Sequence, residues 1–145
     1  MQKVLTAEQM REVDRLTTEK YGVPSIILME NAAHAVARVI TEKLGGSVKD
    51  KSILILCGKG NNGGDGAALA RVLWENEANI HVVLFGGLDE TKGDAQTNFN
   101  AVMQISADDY RLRFEEVSLT EVDVRKWWSD FIYNFAITKV DCVVD

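Results

Sequence analysis

The polar side chains best placed to do chemistry sit among glycines. Residues 58–66 read Gly58-Lys59-Gly60-Asn61-Asn62-Gly63-Gly64-Asp65-Gly66, five glycines in nine positions. Asn61 and Asn62 offer amide donors and acceptors, and Asp65 adds a carboxylate. A carboxylate in the mouth of such a loop repels phosphate but suits a hydroxyl donor or a cation. The nucleoside-triphosphate loop pattern fails, because no Lys-Ser/Thr pair follows Gly64. Gly58, Gly60 and Gly63 do match G-x-G-x-x-G, so a dinucleotide site must be weighed. The acidic residue that usually accompanies that pattern, at the end of the next strand, is poorly placed: this strand is expected to end near Phe85, where Gly86-Gly87 follow. The competing reading is a bare glycine turn with Asn in left-handed positions, yet a plain turn rarely needs five glycines. A second carboxylate, Asp145, follows the apolar pair Val143-Val144. A residue just past the C-terminal end of a strand faces the ligand crevice of an open α/β sheet.

The elements flanking the loop explain how it would be held. Ile53-Leu54-Ile55-Leu56 is too short for a helix and rich in Ile, which predicts a strand buried on both faces at 52–57. After the loop, Ala67, Ala68, Leu69, Ala70, Val72 and Leu73 predict a helix whose small residues let it sit close to a sheet. Strand, glycine loop and helix together form the ligand-binding unit of open α/β sheets. The glycines are expected to supply backbone angles that other residues avoid and to let a ligand approach the main chain.

Two helices precede that unit. Thr6 with Gln9 fits a capping box, Met10, Val13 and Leu16 form an apolar stripe, and Gly22 and Pro24 stop the first helix. The second runs from about Ser25 to Leu44, ended by Gly45-Gly46. These helices are expected to pack on one face of the sheet or against a second subunit. Glu30 and Asn31 interrupt an apolar run and need partners. His34, one turn past Glu30, reads as its i, i+4 partner on the helix face. Further on, 80–85 predicts a strand with His81 as a hydrogen-bonded structural residue. Then come a polar loop at 86–92, a helix at 94–105 and a short strand at 113–117. A helix at 121–135 carries Val122, Trp127, Trp128, Phe131, Ile132 and Phe135, and a last strand lies at 140–144. Trp127 and Trp128 cannot both face one core, so one is expected to cover an edge or an interface. The result is an α/β fold: a Rossmann-like three-layer sandwich with a mostly parallel sheet, preceded by two helices.

Composition narrows the function. The 145 residues suit one domain, 1–145, and 46% hydrophobic content can fill its core. The net charge of −6 is a poor start for binding a phosphate backbone, and no basic cluster offsets it, so no nucleic-acid partner is expected. Cys57 and Cys142 each read as free thiols at strand ends. His34 and His81 stand alone, with no metal-ligand spacing. No apolar run approaches the ~20 residues of a membrane span, and the first residues lack the apolar core of a secretory signal. A cytoplasmic protein is expected, with no membrane partner.

The run Gly60-Asn61-Asn62-Gly63-Gly64-Asp65-Gly66 closely resembles the signature of the NAD(P)H-hydrate epimerase family, the YjeF N-terminal domain. Leu5-Thr6-x-x-Gln9-Met10-x-x-x-Asp14, Met29-Glu30-Asn31-Ala32-Ala33, Gly93-Asp94-Ala95 with Asn98, and Val143-Val144-Asp145 extend the resemblance over most of the chain. It implies an isomerase that interconverts the R and S forms of NADH-hydrate and NADPH-hydrate at C6 of the nicotinamide ring. A partner ATP- or ADP-dependent dehydratase, in some family members fused downstream, then repairs the S form. The resemblance also implies that Asn61, Asn62, Gly63, Gly64 and Asp65 contact the substrate, and that Asn62 and Asp145 ligate potassium. It implies a homodimer, and it makes Asp65 and Asp145 the candidate catalytic carboxylates. The family pattern continues past Asp145 with a second glycine-containing loop that has no counterpart here, so the chain is expected to be a truncated domain or the start of a bifunctional repair enzyme. The alternatives are a non-catalytic binding or scaffold module of the same type and, ranked last, an ordinary NAD-binding Rossmann domain.

Overall fold

The computed structural model describes residues 4–118, 124–137 and 139–145, without the side chains at 124, 128, 132 and 134–137. The chain opens with two helices, α1 (Ala7–Tyr21) and α2 (Ser25–Lys43). There follow β1 (Ser52–Cys57), α3 (Asn61–Glu75), β2 (Asn79–Phe85), α4 (Gly93–Asp108), β3 (Leu112–Val117), α5 (Val124–Ile137) and β4 (Cys142–Val144). The four strands form one sheet in the order β3-β2-β1-β4, and every pairing is parallel.

That order carries the functional geometry. From β1 the chain steps outward through β2 to β3, then returns to the far side of β1 as β4. A crossover of fixed hand, run in the reverse direction, delivers its helix to the opposite face of the sheet. Alternation along the strands agrees. Ile53, Ile55, Cys57, Ile80, Val82, Leu84 and Leu112 point into a core shared with α2, α3 and α4. Leu54, Val83 and Val117 point the other way and meet Phe131 of α5, with Trp127 packed beside it. The fold is thus the expected three-layer α/β sandwich, and the sheet is wholly parallel.

The helix signals at the start of the chain act as read. Thr6 and Gln9 form a reciprocal capping box, and Gly22 closes α1 in the left-handed region at φ +70°. Gly45 and Gly46 follow α2 with positive φ. Of the two helices, only α2 reaches the core, burying Met29, Ala33, Ala37 and Ile40. α1 buries no residue.

Other expectations need correction. Glu30 does not pair with His34 along α2; its carboxylate accepts from Arg71 on α3. The inter-helix partner wins because Arg71 is held in place by Asn98 of α4, whose Oδ1 accepts at 2.7 and 3.1 Å. Cys57 is a buried free thiol at the end of β1, and burial pushes its pKa up to about 12. Cys142 is also free but opens β4 rather than ending it, and it is only half-buried. His81 is structural, as expected: its Nε2 lies 3.3 Å from Glu115, and its ring meets Phe131 at 5.6 Å. Of the aromatic helix, Trp127 stacks on Phe131 and meets Phe85 edge-on, covering the second face of the sheet. The expected start of that helix at Glu121 and Val122, and the side chains of Trp128, Ile132 and Phe135, lie outside the described residues.

Candidate functional site

α3 starts at Asn61, so Asn61–Gly66 form its first turns. None of the five glycines at 58–66 has a positive φ. Their use is close packing, not left-handed turning. A Cβ on Gly63 would stand 1.7 Å from the carbonyl oxygen of Gly58. One on Gly64 would come within 2.9 Å of Ala95 and of Met29, and one on Gly66 within 2.7 Å of the Cys57 sulfur. The helix N-terminus is thereby pressed against the end of β1 and against α2 and α4. Gly60 is its N-cap and no side chain caps it, so the N–H groups of its first turn are open to a ligand.

A cavity of about 360 Å³ lies beside this end, where β1 and β4 part. This is the switch point of the strand order, the usual ligand crevice of an open α/β sheet. Asn62, Gly63, Asp65, Gly66 and Leu69 of α3 form one wall, Ala32, Ala33 and Val36 of α2 another, and Val144 and Asp145 of the last strand a third. The residues of α3 follow helical spacing: 62, 65, 66 and 69 share a face. The same spacing turns Asn61 outward to solvent and Gly64 into the packing against Ala95, so neither lines the cavity. Three polar side chains therefore converge there: the amide of Asn62 and the carboxylates of Asp65 and Asp145.

Asp65 is set apart by its surroundings. Desolvation against the apolar walls, and secondarily the negative charge of Asp14 on α1, raise its pKa above the ordinary carboxylate value. That shift favours a carboxyl able to hold and release a proton. Behind the site, Asn98 is buried; it gives one amide hydrogen bond to the Asp94 carbonyl at 3.2 Å and receives two from Arg71. The hydroxyl of Ser25 donates to the carboxylate of Asp94, joining the starts of α2 and α4. The motif residues at 29–33 and 93–98 are thus the frame around α3. Ala32, Ala33 and Val36 wall the cavity; their signal in the sequence was their small or branched size on the face next to Met29. Leu69 and Val144 carried none beyond being apolar.

No group of three or more His, Cys, Asp or Glu side chains able to hold a metal occurs among the described residues. Asn62 and Asp145 do share the one cavity. An amide oxygen and a carboxylate suit a hard, weakly held cation and not a transition metal.

A parallel α/β sheet with a glycine-packed helix end and a crevice at its switch point defines a Rossmann-like domain. Residues 25–145 match the family described as YjeF-related protein N-terminus, and the chain belongs to that family. It is 46% identical over 105 residues to a bifunctional NAD(P)H-hydrate repair enzyme Nnr of Salinibacter ruber, a match covering 72% of this chain and 19% of that protein. A protein of the same name from Moorella thermoacetica is 38% identical over 131 residues, covering 90% of this chain and 24% of its own length. An NAD(P)H-hydrate epimerase of Rhodopirellula baltica is 41% identical over 91 residues, covering 63% of this chain and 36% of its own. The crystal structure of yeast ynu0 superimposes with a TM-score of 0.70 at 25% identity, covering 99% of this chain and 56% of that one. The chain thus spans well under half the length of these curated relatives.

Proposed function

We propose that this chain is an epimerase domain that interconverts the R and S forms of NADH-hydrate and NADPH-hydrate at C6 of the nicotinamide ring. The observation that carries this reading is the convergence of Asn62, Asp65 and Asp145 in one largely apolar cavity at the switch point. The names of the relatives support it. The hydrate is a hemiaminal. Inversion proceeds when the C6 hydroxyl leaves as water, taking a proton, and water returns to the other face of the iminium-like ring, releasing a proton. Asp65, with its raised pKa, donates the first proton and takes back the second. Asp145 faces the same space. The intact pair of carboxylates favours catalysis over a binding-only module.

Potassium fits this donor set: Asn62 and Asp145 would hold it, and it would offset carboxylate charge beside an anionic dinucleotide. The partner reaction is an ATP- or ADP-dependent dehydration of the S form, in line with the bifunctional relatives. α1 and α2 support a homodimer, because their apolar residues Met10, Val13, Ile27 and Val39 are exposed and exposed apolar surface of this kind can mark an interface. None of the helices among the described residues is long and apolar enough to cross a membrane, which is compatible with a cytoplasmic setting for the nucleotide repair.

The test uses purified (6R)-NADPH-hydrate in potassium buffer, with formation of the S epimer followed by chromatography. Acceleration by the wild-type chain, reduced at least ~100-fold in Asp65→Ala, is expected. Absence of acceleration overturns the reading, and wild-type turnover in Asp65→Ala removes the role given to that residue.

A further inference from the structure

The cavity holds two carboxylates, Asp65 and Asp145. The loop after β2, which does not itself line the cavity, carries Asp89 and Glu90, and Glu116 accepts from the Leu88 N–H. A dinucleotide brings a diphosphate close to the carboxylates of Asp65 and Asp145. Like charges would oppose its binding unless a cation meets it.

Lys59 is built for that position. It stands in the glycine loop between Gly58, which lines the cavity, and Gly60, the open cap of α3. Its stem crosses Gly86: a Cβ there would stand 2.4 Å from Lys59 Cδ and 2.6 Å from Cγ, so the lysine uses the space that the glycine leaves. Gly86 also holds φ +135°, a value that excludes other residues. The stem lies against Gly86, and the ammonium group can leave Glu90 by turning about its outer bonds. Its present partner is Glu90, at 2.5 Å, whose other oxygen accepts from the Gly87 N–H at 2.8 Å. Both side chains of this pair are about half exposed, 46% and 47%. A pair so open to water holds weakly and exchanges readily for a doubly charged partner.

We propose that Lys59 is the diphosphate-binding residue of this site: it parks on Glu90 when the site is empty and transfers to the diphosphate of the incoming dinucleotide beside the open end of α3. The inference rests on the dinucleotide reading of the substrate and adds to it the residue that recognises the phosphate moiety. Glu90 acts as a competing anion that holds the ammonium aimed at the rim.

The experiment titrates ADP-ribose, which carries the diphosphate but no nicotinamide, against the wild-type chain and against Lys59→Met, Lys59→Arg and Glu90→Gln. Affinity is read by calorimetry at low and moderate salt, and thermal midpoints confirm that each variant is folded. Lys59→Met is expected to weaken binding about tenfold or more and to flatten its salt dependence, while Lys59→Arg restores most of the affinity. Glu90→Gln removes the competitor and is expected to bind as tightly as wild type or more so. Equal affinity of Lys59→Met and wild type overturns the proposal, as does undetectable binding by wild type. A loss in Glu90→Gln as large as that in Lys59→Met also overturns it, because the pair is then a structural clasp. If the ADP-ribose difference stands while the hydrate is not epimerised, only the catalytic reading falls. If epimerisation stands and the difference vanishes, only the role of Lys59 falls.

Discussion

α1 and α3 each have 15 residues, and they are held by opposite means. α1 is a helix by local chemistry. It has a reciprocal capping box, a left-handed glycine stop, and Arg15 bridging Glu12 and Glu19 along its exposed face, and it buries nothing. α3 has no side-chain cap, carries three glycines in its first six residues, and buries eight residues. Glycine inside a helix costs roughly 1 kcal/mol against alanine, so tertiary packing must more than offset the poor start of α3. The helix that forms most readily by itself contributes least to the core. The helix that forms least readily carries the candidate site, and its uncapped end is what a ligand would use.

The largest effect is expected from removing the close packing of α3. Gly63→Ala places a methyl carbon on the Gly58 carbonyl, 1.7 Å away. Backbone atoms cannot swing aside, so the expected loss exceeds about 3 kcal/mol, enough to leave a marginally stable domain largely unfolded. Gly60→Ala is the control, since nothing lies within 4 Å of the added atom and its φ of −89° is ordinary. Denaturant unfolding of both variants checks the pair. Equal stability would show that the glycines serve something other than packing.

Next in size is the inter-helix clamp. Arg71→Leu removes the partner of Glu30 and two hydrogen bonds to Asn98 Oδ1. A half-buried carboxylate and a buried amide lose their donors, which costs about 1–3 kcal/mol. Glu30→Gln together with Arg71→Gln should recover part of the loss. Strict additivity of the two single changes would argue against a coupled network.

A smaller effect is expected at α1. Thr6→Ala removes the cap and frays the first turn at a local cost of about 1 kcal/mol. Because α1 buries nothing, global unfolding should barely move, and hydrogen exchange should quicken only near residues 7–10. A global loss as large as the local one would mean that α1 is held by a partner surface.

The sequence made the elements legible because their signals are local: caps at Thr6 and Gly22, alternation of apolar residues in short strands, and the Ala-rich face of α3. Of the polar residues read as the candidate site, Asn62, Asp65 and Asp145 share the cavity, since Asn62 and Asp65 lie one helical turn apart and Asp145 follows a strand, whereas Asn61 faces solvent. Less legible was what depends on distant partners. The glycines of 58–66 suggested a turn, and the structure uses three of them for contact with Gly58, Ala95 and Cys57. Glu30 had a plausible neighbour at His34 and found a better one 41 positions away. The apolar run Ile26-Ile27-Leu28-Met29 did mark α2 for burial, yet only Met29 of the four is buried and Ile27 is exposed; which face enters the core was set by the packing against α3 and α4.

The smallest expected effect joins the two helices again. The folded-state pKa of Asp65 is raised, first by desolvation and then by Asp14 across on α1. Its ionised form is therefore disfavoured in the fold relative to the unfolded chain. Its protonated form adds stability that is fully present below the unfolded carboxylate pKa of about 3.9. That contribution is lost as pH rises through the folded value. Asp65→Asn keeps the shape and cannot ionise. The variant should match wild type near pH 3.5 and become the more stable of the two by pH 7, with a thermal midpoint higher by about 1–3 °C because solvent screens a half-exposed group. Asp14→Asn in the wild-type background should close part of the gap at pH 7 and none at pH 3.5. A gap independent of pH would mean that the difference comes from packing of the amide. A wild-type chain more stable than Asp65→Asn at pH 7 would mean that the cavity stabilises the carboxylate, and the acid role assigned to Asp65 would pass to Asp145.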